Sequence, residues 1–152
     1  MARLIRLLGG IRRQPVWRIR LFLEAVFLLA VSRMALCVLP FRFIAAFLDR
    51  PFFLRSGELS EFETQRKNVK WAVARASRVL PGETVCFPRG IAAHIMCQIR
   101  GIDTTLFYGA AVLPDRGLRA HVWLQDGATG IVGTSLADKY CVLTRFPVRS
   151  WE

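Results

Sequence analysis

One stretch, TVCFPRGIAAHIMCQIRG at residues 84–101, constrains the fold of this chain more than any other. Pro88 suits the first turn of a helix, where its missing N–H costs nothing. Isoleucines recur at a spacing of four and so share one helical face: Ile91, Ile95 and Ile99. Gly101 fits a left-handed C-terminal cap. The stretch predicts a buried helix that starts near Cys86, where the helix dipole and unpaired N–H groups favour a negatively charged sulfur.

The chain opens with a basic block. Residues 1–20 hold no acidic residue, and the whole chain of 152 residues has a formal net charge of +11. The arginines of this block are Arg3, Arg6, Arg12, Arg13, Arg18 and Arg20. Such a block suits nucleic acid, anionic lipid or an acidic polypeptide, or it is a solvated arm. Because no nucleic-acid-binding motif accompanies it, we expect no nucleic-acid partner.

The next segment, residues 21–48, is apolar enough to raise the question of a membrane span. Charges at Glu24, Arg33 and Arg42 leave uncharged runs of only eight residues, against the roughly 18–20 that a spanning helix needs. No small-residue cleavage site marks a secretory signal. We therefore expect a cytoplasmic protein with two helices, Trp17–Leu39 and Phe41–Leu48, broken at Pro40 and packed on the domain or on a partner. Peripheral contact with a membrane remains an alternative.

After the cysteine helix the hydrophobic pattern changes towards the alternation of strands. Strand candidates lie at 104–112, 118–125, 130–134 and 140–146, and Asp126-Gly127 is a hairpin signal between two of them. The predicted fold is α+β, with N-terminal helices and then the cysteine-bearing helix packed on an antiparallel sheet. We expect a basic arm at 1–20 and a single domain at 21–152, divided into an apolar helical part at 21–58 and a core at 59–152.

The four cysteines indicate reduced thiols, because none stands in a C-x-x-C pair. His94 and Cys97 lie three apart on the predicted helix, but the metal ligands that would complete a site are lacking, so no metal or other cofactor is expected. A thiol at a helix start, followed by His121 on a later strand, supplies the parts of a cysteine-nucleophile enzyme. Both residues could equally be packing residues in a core.

Three segments together resemble a known family: LPFRFIAAFL (39–48), AVARASRVLPGETVCFPRGIAAHIMCQIRGIDTTLFYGAAV (72–112) and LRAHVWLQDGATGIVG (118–133). The sharpest motifs are C-x-P-x-x-x-A at Cys86, R-G-I after the helix, and A-H-x-W at His121. Over residues 20–146 the chain resembles the stand-alone B-type proteins of lasso-peptide biosynthesis, which are transglutaminase-like cysteine peptidases with a papain-like core. The resemblance implies a peptidase that removes the leader from a ribosomally made precursor peptide. It also implies two partners, a small leader-recognition protein and a macrolactam cyclase similar to asparagine synthetase.

Carried over residue by residue, the resemblance makes Cys86 the nucleophile and His121 the general base. The third member of the family's site is expected to be an aspartate on the strand after the histidine. Hairpin counting, with residue 125 opposite 130, sets Thr134 opposite His121 instead. Asp126 is the first acidic candidate for the third member, although its five-residue separation from His121 directs it to the other face of the strand. Asp138 lies beyond the end of the strand and could reach His121 only if the loop folds back. A site made of a Cys–His pair alone is the alternative.

Two other classes of function fit the same sequence. In one, the chain is a non-catalytic binding or scaffold subunit of a peptide-maturation complex, docked through its basic and apolar N-terminal third. In the other, which rests on composition alone, it is a small basic membrane-associated protein.

Overall fold

The computed structural model describes residues 15–50, 59–80, 86–114 and 117–147, without the side chains of residues 59 and 60. Its helices are α1 (Val16–Val38), α2 (Phe41–Leu48), α3 (Leu59–Val79) and α4 (Cys86–Ile99). Its strands are β1 (Thr105–Leu113), β2 (Gly117–Asp126), β3 (Thr129–Val132) and β4 (Cys141–Phe146), with a 3₁₀ helix at Thr134–Lys139 before β4. The α+β prediction is confirmed, and each predicted helix or strand in this part of the chain is present within a few residues of its expected bounds.

The four strands form one antiparallel sheet in the order β3-β2-β1-β4. In the central pair Gly109 lies opposite His121, and Tyr108 lies opposite Val122. The hairpin between β2 and β3 turns through Gly127, whose φ of 55° is in the left-handed region that glycine tolerates. Because β3 has only four residues, it covers one end of β2 and leaves the edge around His121 without a strand partner.

Helix α4 lies at the centre of the molecule, with the sheet on one side and α1 and α3 on the other. Most of its residues are buried, as the sequence predicts. A Cβ on Gly90 would lie 2.8 Å from side-chain carbons of both Leu106 and Val122, so glycine lets the helix approach the sheet closely. The helix ends at Gly101, with φ of 74°, and the N–H of Ile102 donates to the carbonyl of Cys97 at 3.0 Å. The predicted left-handed cap is therefore present.

Helix α1 is attached to this core along one side only. Leu21, Ala25 and Leu29 are buried against it. Glu24, which interrupts the apolar run in the sequence, accepts two hydrogen bonds from the guanidinium of Arg100, at 2.8 and 2.6 Å. That two-pronged ion pair joins α1 to the C-terminal end of α4 and explains a carboxylate in an otherwise apolar helix.

The length of α1 reopens the question of a membrane span. Among the described residues, Val16–Val38 is the one helix long and apolar enough to cross a membrane, with a mean hydropathy of 2.1 over its most apolar 18 residues. Length and composition are the only basis of this result, and buried core helices and signal sequences share both properties. Counting uncharged runs in the sequence excluded this candidate, because the count treated Glu24 and Arg33 as breaks. The helix continues through both and ends before Pro40, where a helix end was predicted.

Candidate active site

Cys86 is the first residue of α4 and is half-buried against the core. Residues four apart lie on the same side of a helix, so Cys86 lies one turn before Gly90 on the side that faces the sheet. The next residue, Phe87, contacts the ring of Tyr108 on β1, with ring centroids 6.0 Å apart. The first N–H groups of a helix have no partner within that helix. The thiol therefore lies beside backbone donors at the sheet-facing end of α4.

His121 lies on β2 and is held through one ring nitrogen. Its Nε2 is 2.7 Å from the carbonyl oxygen of Gly133. Because a carbonyl can only accept, Nε2 carries the proton in this hydrogen bond, and in the neutral ring Nδ1 keeps a free lone pair. Among the described residues, none hydrogen-bonds to Nδ1. The imidazole is thus fixed in the tautomer that a general base needs, with Nδ1 as the basic atom.

Gly133 presents that carbonyl because of its backbone conformation. It follows directly after β3 and has a φ of 75°. A Cβ there would lie 2.6 Å from the carbonyl oxygen of Val122. Both the left-handed conformation and the close approach to β2 therefore require glycine.

Two aromatic rings pack against the imidazole. The His121 ring stacks on Trp123 at 6.0 Å and contacts Tyr140 at 5.0 Å. Trp123 in turn stacks on Phe107 at 5.5 Å and is almost fully buried. Its ring lies over Gly109, where a Cβ would be 2.9 Å from the indole carbons. The ring of His121 is therefore restrained by packing as well as by its hydrogen bond.

Cys86 and His121 lie on different sides of the sheet. Val122 contacts α4, and successive strand residues point to opposite faces, so His121 lies on the face that carries Trp123. In the described part of the chain, no hydrogen bond joins Cys86 to His121. His121 lies where β2 has no strand partner on the β3 side.

Asp126, the predicted third member, lies away from His121. Its carboxylate is 3.3 Å from Nε of Arg66 on α3, and five residues of strand separate it from His121, about 17 Å at the usual rise. The hairpin count was correct for Gln125 opposite Gly130 but wrong beyond it, because a bulge sets Leu124 opposite Val132. Thr134 does not face His121 as a strand residue, since it opens the 3₁₀ helix. At Nε2 the structure shows the Gly133 carbonyl in place of a carboxylate.

The second histidine of the chain is fully engaged in the core. His94 Nδ1 lies 2.8 Å from the hydroxyl of Thr104, and Nε2 lies 2.8 Å from the amide nitrogen of Gln98. The Gln98 N–H donates to Nε2, so the ring is neutral with its proton on Nδ1. Burial lowers the pKa of His94 to about 4, against a weaker opposing effect of Asp103. His94 therefore has no free nitrogen for catalysis or for a metal.

The buried His94 predicts a pH dependence of stability. Above pH 6.5 the ring is neutral in both the folded and the unfolded chain, so it does not change the free energy of unfolding with pH. As the pH falls from 6.5 to about 4 the unfolded chain binds the proton first, so the free energy of unfolding falls. At 1.36 kcal/mol per pKa unit the loss is on the order of 3 kcal/mol. Urea unfolding at several pH values measures it, and His94→Gln should remove this part of the slope. An unchanged slope in that variant would contradict the assignment.

Among the other cysteines, Cys97 is buried and unreactive, whereas Cys37 and Cys141 are exposed. Burial raises the pKa of Cys97 to about 12, so it stays a thiol at neutral pH. Within the described ranges, no group of three or more His, Cys, Asp or Glu side chains could hold a metal ion.

The comparison with protein families decides what kind of domain this is. The model of the transglutaminase-like superfamily matches residues 35–145, which include Cys86, His121 and all four strands. The chain belongs to the transglutaminase-like superfamily. Comparisons with curated proteins and with solved structures give no match. The domain therefore has a fold of the cysteine-peptidase type, in which helix α4 and strand β2 carry the two candidate residues.

Two features of this transglutaminase-like site were not predicted from the sequence. The hydrogen bond to the carbonyl of Gly133 could not be predicted from the sequence, because every residue has a backbone carbonyl. Only the tertiary structure shows that this one lies beside His121. The contact of Tyr140 with His121 depends on the 3₁₀ helix that brings the chain back beside β2. Trp123 was part of the quoted A-H-x-W motif, and its place two residues after His121 puts both rings on one face.

Proposed function

We propose that this transglutaminase-like protein is a cysteine endopeptidase that removes the leader from a lasso-peptide precursor. The observation that carries the catalytic part is the hydrogen bond from His121 Nε2 to Gly133, which leaves Nδ1 as a base. The family match supports a thiol at Cys86 as its partner. The lasso-peptide substrate rests on the sequence resemblance, as do the leader-recognition protein and the cyclase. The proposed cytoplasmic location rests on the four cysteines, none of which stands in a C-x-x-C pair.

In the proposed reaction, Cys86 Sγ attacks the carbonyl carbon of the scissile peptide bond and its proton passes to His121 Nδ1. The N–H of Cys86 at the helix start donates to the oxyanion. His121 then gives the proton to the leaving amine, and the leader remains as a thioester on Cys86. A water molecule, deprotonated by Nδ1, hydrolyses the thioester and restores the thiol. During these steps the Gly133 carbonyl keeps Nε2–H in place and stabilises the imidazolium.

The mechanism requires Sγ and Nδ1 to meet in the substrate complex. We propose that they do so at the part of β2 that β3 leaves uncovered, where His121 lies. Catalytic hydrogen bonds are often long or poorly aligned in substrate-free enzymes and tighten when substrate binds. The precursor peptide, held by its recognition protein, is the partner proposed to bring the two groups together.

A non-catalytic scaffold is the second candidate, favoured by the lack of a hydrogen bond between Cys86 and His121 among the described residues. Alkylation by iodoacetamide, followed by mass spectrometry, separates the two functions. The peptidase proposal expects Cys86 to react faster than the more exposed Cys37 and Cys141, with Cys97 unreactive. Labelling that simply follows exposure would favour the scaffold.

Gly133→Ala tests the role of its carbonyl in positioning His121. An added Cβ meets the Val122 carbonyl and strains a left-handed backbone, so the hydrogen bond to Nε2 should be displaced. We expect kcat for precursor cleavage to fall roughly tenfold to a hundredfold with little change in KM, because small displacements of catalytic groups have effects of this size.

The matched control for that variant is Gly127→Ala. Gly127 also has a positive φ, but a Cβ there meets no atom within 4 Å and lies at the tip of the hairpin. It should cost about 1–2 kcal/mol of stability and leave kcat unchanged. Asp126→Asn should also preserve kcat. Loss of activity in Asp126→Asn, with Gly133→Ala active, would assign the third position to the aspartate instead.

A further inference from the structure

The outward side of α1 is an apolar surface that no part of the described chain covers. We define the α1 stripe as Leu23, Phe27, Val31, Met34 and Val38, all of which are exposed. These residues recur at spacings of three and four, opposite the buried Leu21, Ala25 and Leu29. At 1.5 Å per residue the stripe is about 22 Å long. A shallow cavity of about 450 Å³ along it is lined only by apolar residues.

Both sides of α1 are therefore apolar, but only one of them packs against the core of the domain. Single exposed apolar residues are common on protein surfaces, but a continuous row of this length marks an interaction site. The stripe offers no side-chain donor or acceptor of a hydrogen bond. Protein–protein interfaces usually carry about one hydrogen bond per 100–200 Å², whereas the hydrocarbon of a lipid layer requires none. The chemistry of the stripe thus favours lipid.

The charges around the stripe select the kind of lipid. The exposed Arg20 lies one turn before Leu23 on the same side of the helix, and the exposed Arg42 follows soon after its end. Residues 1–20 add an arginine-rich sequence without acidic residues. Trp17 is also exposed at the beginning of the helix. Arginine and tryptophan beside an apolar helical face are typical of binding to anionic lipid surfaces.

From these observations we infer that the α1 stripe binds the surface of an anionic lipid bilayer, with the helix lying in the plane of the membrane. A second copy of the chain is a poor occupant, because each copy carries a formal net charge of +11 and the two would repel. A spanning orientation would withdraw the buried side of α1 from the core and break the Glu24–Arg100 ion pair. This inference does not depend on peptidase activity.

Vesicle flotation with the full chain tests the inference. We expect binding to phosphatidylcholine vesicles that contain about a third phosphatidylglycerol, weaker binding to pure phosphatidylcholine, and a decrease with added salt. In the double variant Phe27→Gln, Met34→Gln the affinity for anionic vesicles should fall at least about tenfold. The two residues are 66% and 64% exposed, so the fold should tolerate the changes.

The matched control replaces two apolar residues elsewhere that are somewhat more exposed. Val112→Gln, Leu118→Gln changes a cross-strand pair on the β1–β2 hairpin, 77% and 75% exposed, and should leave vesicle binding unchanged. Arg20→Glu is an independent variant at the end of the stripe and should weaken binding most at low salt. Circular dichroism checks that each variant is folded.

The other outcomes each overturn the inference. Absence of vesicle binding, or equal loss in both double variants, would exclude the stripe as a lipid site. A dimer in analytical ultracentrifugation without lipid, lost in Phe27→Gln, Met34→Gln, would assign the stripe to a second copy. Retention in the membrane after alkaline carbonate extraction would indicate a spanning helix rather than one that lies on the surface.

Discussion

Cys86→Ala is expected to abolish precursor cleavage while the domain stays folded. The change removes one half-buried sulfur at the first residue of α4 and leaves the helix backbone and its N–H groups in place. Without a nucleophile the reaction loses its covalent step, and nucleophile removal in enzymes of this mechanistic type lowers the rate on the order of 10⁴-fold or more. Mass spectrometry of a precursor incubated with the protein and its leader-recognition partner measures the effect.

Cys141→Ala is the matched control for Cys86→Ala. It removes a thiol that is more exposed than Cys86, at the start of β4, and should retain full cleavage. Circular dichroism and thermal unfolding of both variants separate a lost nucleophile from a lost fold. If Cys86→Ala cleaves the precursor as fast as the unchanged protein, the peptidase proposal is wrong and the scaffold reading takes its place. That result would leave the lipid inference untouched, because vesicle binding does not involve Cys86.

His121→Ala should produce the second largest loss, a decrease in turnover of 10²–10⁴-fold. The variant removes the only imidazole whose Nδ1 has no described partner, together with the group that Gly133 holds in place. It also removes contacts with Trp123 and Tyr140, so some stability should be lost as well. Single-turnover cleavage per folded molecule, with the folded fraction taken from urea unfolding, isolates the catalytic effect.

His94→Ala gives the opposite pattern and serves as the comparison. It deletes a buried ring whose two nitrogens are both hydrogen-bonded, leaving Thr104 and Gln98 with lost partners. Unsatisfied buried groups cost about 1–3 kcal/mol each, so the variant should be clearly less stable. Its turnover per folded molecule should be close to that of the unchanged protein. If His94→Ala lost activity and His121→Ala kept it, the general base would be His94 on α4 and not His121 on β2.

The sequence predicted the elements because their causes are local. Pro88 and Gly101 mark the two ends of α4 through backbone properties of proline and glycine, and both ends appear where expected. Alternation of apolar residues and the Asp126-Gly127 dipeptide located β2 and its turn for the same reason. The bulge between Leu124 and Gln125 could not be predicted in this way, since it depends on how β3 fits against the rest of the fold.

By itself the sequence determined an α+β fold with a thiol at a helix start and a histidine on a strand. The tertiary structure decided what those residues contact. The ion pair of Glu24 and Arg100 joins residues that are 76 positions apart in the chain. The carboxylate of Asp126 forms an ion pair with Arg66 and not with His121. The partner of His121 is a backbone carbonyl, which every residue possesses, so only the three-dimensional path of the chain could select the one at Gly133. Local pattern specifies helices and strands, whereas hydrogen-bond partners are set by which segments the folded core brings together.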